Sequence, residues 1–271
     1  MLPFVINHMT VPNLDHQALF ALAAGLGGIG VELRNDLARP LFDGASPDLV
    51  AGRARERGLR IVGLSQVYPF NAWSDAVRDE VAALIATGRA VGAETISLIP
   101  RNDGQGTADG ERQANARRAL AAIKPMLEDA GMVALVEPLG FESSSLRSKA
   151  ETVEIIEELD AAGTFKLVHD TFHHHLAGGG PLFAEHTGIA HVSGVVDPGL
   201  AVNAMRDEHR VLVDAGDRLG NVGQIAALRA AGYAGPISFE AFSPEIHALA
   251  DPEAALGRSM AFIAERVGET V

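Results

Sequence analysis

Eight short runs rich in Val, Ile and Leu recur along the chain, spaced so that one helix fits between most neighbours. They are FVIN (4–7), IGVEL (29–33), RIVGLS (60–65), TISLIP (95–100), VALVEP (133–138), FKLVHD (165–170), IAHVSGV (189–195) and PISFEAF (236–242). Between them lie amphipathic segments such as DHQALFALAAGLG, SPDLVAGRARERG, DEVAALIATGRAVG, ERQANARRALAAIKPMLEDAG, KAETVEIIEELDAAG and VGQIAALRAAG. Nearly all of these close on the glycine that commonly ends a helix. Strands buried on both faces read as continuous apolar runs, and their alternation with helices implies a parallel sheet. Eight such units occupy about 250 residues in a (β/α)8 barrel, and this chain has 271. The expected fold is therefore α/β, a (β/α)8 TIM barrel with residues 1–271 as a single domain; an open doubly wound sheet is the competing arrangement. No Pro/Ser-rich linker marks a boundary. The glycine-rich GGIGVE opens a strand instead of joining strand to helix, which weakens a dinucleotide reading.

Composition narrows the chemistry. The net charge is −13, from 35 acidic and 22 basic residues, a field that repels phosphate backbones and argues against nucleic acid as partner. With no cysteine, thiolate-bound zinc and disulfides are ruled out, so any metal must use imidazole and carboxylate. The start MLPFVINHMTVPN lacks the basic region of a signal peptide, and no apolar run reaches the roughly 18 residues of a membrane span. The expectation is a cytoplasmic protein without a membrane partner; a homo-oligomer is compatible with everything here.

In a parallel barrel, functional groups stand at the C-terminal ends of the strands. That rule selects Glu137 at the end of the fifth run, Asp170 at the end of the sixth with His173 in the loop beyond, His191 in the seventh and Glu240 in the eighth. These come from four consecutive strands and can converge on one side of the mouth. Each carboxylate sits in an otherwise apolar run, where an unpaired buried charge costs several kcal/mol. A divalent cation held by Glu137, Asp170, His191 and Glu240 offsets that cost, and such a donor set suits Mn²⁺, Co²⁺, Zn²⁺ or Mg²⁺. Taken singly, a glutamate in a strand is more often outward-facing or salt-bridged, and a lone histidine more often a hydrogen-bonded core residue. Four independent strand ends, each offering a ligand-type residue, favour the metal. Within VHDTFHHHL, His169 faces away from Asp170, and His174 and His175 read as solvated or peripheral.

The segments VEPLGF, VHDTFHHHL, AHVSG, DEHR and ISFEAFSP resemble the xylose-isomerase-like superfamily of TIM-barrel sugar isomerases and epimerases. Within it the 2-keto-myo-inositol isomerases of inositol catabolism are the nearest likeness, which extends to GVELRNDLARP and IVGLSQVYPFNAW. The resemblance implies that Glu137, Asp170, His191 and Glu240 bind one divalent metal, Mn²⁺, Zn²⁺ or Co²⁺. It also implies that His173 hydrogen-bonds substrate and that Arg210 holds substrate oxygens near the metal. After DEHR the chain departs from the family's compact Pro/Gly turn and reads VLVDAGDRLGNV, which bears on the loop carrying Arg210.

This constellation suits isomerisation or epimerisation beside a carbonyl. The metal stabilises an enediolate as the α-proton leaves, and Glu137 and Glu240 form the proton-transferring pair. The substrate would be a small polyol or keto-sugar. His8, Glu32, Arg34 and Gln66 stand where hydroxyls could be read, with Arg34 and Gln66 retained as substrate contacts. Phe70 and Trp73 would form an apolar wall. For Arg34, the competing role is an ion pair with Asp36 or Glu32. Arg147 is either a substrate contact or part of the cap of the next helix. Four rival activities remain. A two-metal hydride shift lacks a second carboxylate cluster. An apurinic endonuclease needs an Asp-x-His that DPGLAVNAMRDEHR lacks. A dehydratase of an inosose or dehydroshikimate-like acid differs only in the fate of the enediolate. A non-catalytic sugar-binding barrel has no reason to bury two carboxylates at strand ends.

Overall fold

The computed structural model of the chain describes residues 1–268. Eight strands close into a barrel in chain order, β1 Phe4–Asn7, β2 Gly30–Arg34, β3 Arg60–Val67, β4 Thr95–Leu98, β5 Val133–Val136, β6 Phe165–Asp170, β7 Thr187–Val192 and β8 Ile237–Phe239. Every neighbouring pair is parallel, and β1 pairs with β8, so no edge remains. The expected (β/α)8 barrel is the observed fold. Around it lie α1 His16–Gly25, α2 Pro47–Glu56, α3 Asp75–Val91, α4 Glu111–Ala130, α5 Lys149–Glu158, α6 Thr171–Leu176, α7 Asn221–Ala230, α8 Pro244–His247 and α9 Pro252–Val267. Side-chain caps start most of them: Asp15, Ser46, Ser74, Ser148, Asp170 and Asp251 each accept a backbone N–H from the first turn. Among the described residues no helix is long and apolar enough to cross a membrane.

Strand alternation sorts side chains into two layers. Phe4, Ile6, Val31, Leu33, Ala134, Val136, Phe165, Leu167, Ala190, Val192, Ile237 and Phe239 face the helices and form the main core. The intervening Val5, Val62, Leu135, Val168 and Ile189 form a separate apolar plug inside the barrel. One pleat further along the same strands, the inward positions turn polar: Asn7, Glu32, Arg34, Glu137, Asp170, His191, Ser238 and Glu240 are all buried. The register brings several of these side by side, with Asn7 opposite Glu32, Asp170 opposite His191 and His191 opposite Ser238.

The structure corrects three local expectations. β5 and β8 stop at Val136 and Phe239, one residue before Glu137 and Glu240. His173 lies in the short helix α6 and not in a loop, because Asp170 caps its first turn. His174 is also not solvated: α6 turns it inward and leaves it 8% exposed. The loop after β5 crosses α6 closely at Gly140, where an added Cβ would sit against the carbonyl of His173 and the side chain of Leu176.

That contact makes Gly140 a sensitive point for α6. Gly140→Ala should destabilise by about 1–3 kcal/mol through overpacking, read as a lowered melting temperature, and should reduce turnover by displacing His173. A variant with wild-type stability would show that α6 yields freely.

Candidate metal centre and active site

The side chains picked out at the strand ends converge. Although Glu137 and Glu240 lie just beyond their strands, their amides continue the ladder, to Leu98 O at 3.2 Å and Val192 O at 3.0 Å. Their side chains therefore keep the inward direction set by the pleat. Asp170 divides its oxygens: Oδ1 accepts from the amides of Phe172 (2.7 Å) and His173 (3.0 Å), leaving Oδ2 for the interior. His191 stands at the centre. Its Nδ1 lies 3.2 Å from Glu240 Oε2, 3.8 Å from Glu137 Oε1 and 4.0 Å from Asp170 Oδ2. None of these approaches is aligned as a hydrogen bond, so Nδ1 is buried without a partner. One donor atom from each of the four residues lies within 4.8 Å of the others. An orphaned imidazole nitrogen facing three carboxylate oxygens fits a divalent cation.

Beneath this cluster lies a residue that the sequence reading had placed among the hydroxyl contacts. Glu32 is completely buried and points at His191, its Oε2 lying 3.2 Å from Nε2. Its Oε1 accepts from Asn7 Nδ2 (3.1 Å) and from the Ser238 hydroxyl. With Nε2–H directed at Glu32, the lone pair of His191 falls on Nδ1, toward the three carboxylates. The signal was present in GVELR, since alternation puts Gly30, Glu32 and Arg34 on the inner face together.

Two arginines balance the carboxylates. Arg210, 1% exposed, donates from Nη2 to Asp170 Oδ2 (2.6 Å) and Glu240 Oε2 (3.0 Å), and from Nε to Ser193 Oγ (2.9 Å). Its guanidinium is sandwiched by the rings of Phe172 and Phe242, 5.0 and 4.6 Å from their centroids. Arg34 donates to Glu240 Oε1 at 2.7 Å and grips Asp36 with two bonds of 2.8 and 2.7 Å. The Asp36 ion pair weighed for Arg34 is thus present, with Glu240 as a second partner and not Glu32.

Burial and charge then pull the groups apart. Burial pushes the Glu137 carboxyl above the usual range; His191 opposes this and Glu240 adds to it. Burial acts on Glu240 in the same sense, but His191, Arg210 and Arg34 outweigh it and hold that carboxyl well below its ordinary value. Burial disfavours charge on His191, yet Glu32 and Glu240 overcome it and raise its proton affinity strongly. The field that favours a proton at this point also favours a metal cation.

The cluster opens into a pocket of about 230 Å³, into which Arg34, Gln66, Asn102, His173 and Arg210 project. Gln66 lies near the end of β3, as expected. His173 Nε2 is 4.0 Å from Glu137 Oε1, and its Nδ1 is buried without a partner. The apolar wall is not the expected one. Tyr68, Phe141 and Phe242 line the pocket; Phe70 belongs to the main core, and Trp73 faces a separate cavity beside Arg101. His8 is turned to the Leu14 carbonyl at 2.8 Å. Arg147 donates to the carbonyls of Gly140 and Leu176, while Ser148 caps α5.

A model of the xylose isomerase-like TIM barrel family matches residues 20–266. Among solved structures, a xylose isomerase domain-containing protein of Salmonella typhimurium LT2 is 32% identical, with TM-score 0.90 over 96% of this chain and 97% of that one. The IolI protein, whose crystal structure holds a zinc atom, is 18% identical with TM-score 0.89, over 99% of this chain and all of its own. An L-ribulose 3-epimerase is 21% identical with TM-score 0.72, over 98% of this chain and 95% of that one. No curated protein matches the chain. The closed eight-stranded barrel agrees with the sequence match over nearly its whole length, and the chain belongs to the xylose isomerase-like TIM barrel family.

Proposed function

We propose that this protein is a divalent-metal-dependent isomerase or epimerase of a keto-sugar or inosose, working by proton transfer beside a carbonyl. The observation that carries the reading is His191 Nδ1, buried without a partner among the described residues and faced by oxygens of Glu137, Asp170 and Glu240, with Glu137 and Glu240 also lining the pocket. The zinc atom of the IolI structure and the epimerase among the structural neighbours support the same direction. A bound Mn²⁺, Zn²⁺ or Co²⁺ supplies Lewis-acid polarisation of a carbonyl oxygen.

The protein's own groups supply the remainder. Glu137 follows β5 and Glu240 follows β8, three strands round the barrel, so their carboxylates approach a bound molecule from different sides. One removes the proton next to the carbonyl and the other delivers a proton to the new position. Arg34 fixes Glu240 through Oε1, which aims Oε2 inward. His173 and Arg210 meet the negative charge that develops on the substrate oxygens, and Gln66, Arg34 and Asn102 read hydroxyls. The pocket has room for one small polyol, and the rings of Tyr68, Phe141 and Phe242 line it.

Chelation should abolish turnover, with Mn²⁺, Co²⁺ or Zn²⁺ restoring it and raising the melting temperature, because only the folded state offers the site. Full activity at negligible metal content would end the reading. Run in D₂O, the reaction should place deuterium at the carbon where the proton is delivered, and Glu137→Gln and Glu240→Gln should each lower kcat about 10²–10⁴-fold. Product free of deuterium from protein holding two metals per chain would instead indicate a hydride shift. Glu32→Gln should keep the barrel folded by circular dichroism yet weaken metal affinity about 10–100-fold, measured by competition with a chelator. An unchanged affinity would show that His191 orients without Glu32.

A further inference from the structure

A second cavity, of about 250 Å³, lies between the start of α5, helix α6 and the loop that follows it. Arg147, Lys149 and His174 line it, together with Gly179 from a run of three glycines, Gly178 to Gly180, all in the left-handed region. Asp170 is the sole acid on the lining, and its oxygens already serve the amides of α6 and Arg210. In a chain of net charge −13, a cavity lined by Arg147, Lys149 and His174 and by no free acid is a local exception.

The polar groups there keep part of their hydrogen-bonding capacity unused. Gln224 donates from Nε2 to the carbonyls of Thr171 and Leu219, which turns its Oε1 toward His169 Nε2 at 2.9 Å. His169 therefore carries its proton on Nε2, and Nδ1 accepts from Lys149 Nζ at 2.6 Å. Lys149 spends one N–H on that bond and forms no ion pair among the described residues. His174 is more than nine-tenths buried, packs its ring 5.0 Å from that of His169, and has no hydrogen bond on either nitrogen among the described residues. Arg147 is bonded only to carbonyls. Ser148 caps the amide of Glu151, leaving the preceding two amides of α5 open at the positive end of the helix.

We propose that this cavity binds a small oxyanion of the phosphate class, held by Lys149, His174, Arg147 and the first amides of α5. Such a group supplies an acceptor to His174 and to the open amides, and a counter-charge to Lys149 and Arg147, in the way helix starts and basic side chains hold phosphate. Burial, which holds the Lys149 ammonium down to about 7, is a cost that a bound anion offsets. Because Asp170 and His173 also touch this cavity, the anion sits directly behind two residues of the catalytic pocket.

The test is a titration of the zinc-loaded protein with inorganic phosphate, following the imidazole ¹⁵N and ¹H resonances of His174 by NMR. A saturable shift of His174 is expected. Lys149→Met and His174→Phe should each weaken binding at least about tenfold, the loss of one charge-assisted bond, whereas Lys149→Arg should retain it. Melting temperatures identify any variant that fails to fold, in which case the wild-type titration decides alone. A ketose phosphate that binds more tightly than phosphate and displaces it would identify the anion as part of a substrate; equal binding of phosphate and sulfate, unaffected by the sugar, would identify a free anion. Absence of a saturable shift at His174, or a shift confined to His191 and His173, would overturn the proposal.

Discussion

The mouth of this barrel is organised by the mutual repulsion of four buried carboxylates. Glu32, Glu137, Asp170 and Glu240 are all nearly inaccessible to solvent, and three of them crowd one nitrogen of His191. Like charges this close raise one another's proton affinity and destabilise the fold unless positive charge is brought among them. The protein provides two guanidiniums, Arg34 and Arg210, each fixed by further bonds, and an imidazole directed from below by Glu32. A divalent cation would complete the balance: of the oxygens that face His191 Nδ1, Asp170 Oδ2 and Glu240 Oε2 share a single Arg210 nitrogen, and Glu137 Oε1 has no arginine partner among the described residues. Asp170 serves two ends: one oxygen starts α6, which carries His173 into the pocket, and the other accepts from Arg210 and faces His191 Nδ1.

This arrangement places function on rigid elements. The four proposed ligands are anchored by strand hydrogen bonds, so their spacing follows from barrel closure and not from loop conformation. The substrate-facing groups are more mixed in origin. Gln66 lies on β3, whereas Arg210, Asn102 and Phe141 come from the loops beyond the strands, where members of one fold family differ most. The proposed metal position and proton-transferring pair would therefore be features of the barrel, and the proposed substrate contacts lie mainly in the loops above it.

Much of this was legible in the sequence because two simple periodicities govern it. The eight apolar runs mark the strands to within a few residues, and the rule that functional groups stand at the C-terminal strand ends selects Glu137, Asp170, His191 and Glu240. What was missed depends on pairings across long stretches of chain. Glu32 meets His191, and Arg34 meets Glu240, through barrel closure that no local pattern records. The pocket's aromatics are Tyr68, Phe141 and Phe242 in place of Phe70 and Trp73, and two of the three come from the loops after β5 and β8, far in sequence from the VYPFNAW segment. For His174 the sequence leaves solvated and peripheral both open, because the Asp170 cap that winds TFHHHL into a helix and turns His174 inward leaves no signature in the apolar periodicity.

The most direct measurement of the central claim is an anomalous-scattering map from crystals of the protein loaded with zinc or manganese. The account predicts a single peak in the barrel mouth, within bonding distance of Glu137, Asp170, Glu240 and the Nδ1 of His191, with His191 Nε2 still on Glu32. A peak bound through other residues, or fully loaded crystals with no ion at this position, would contradict it.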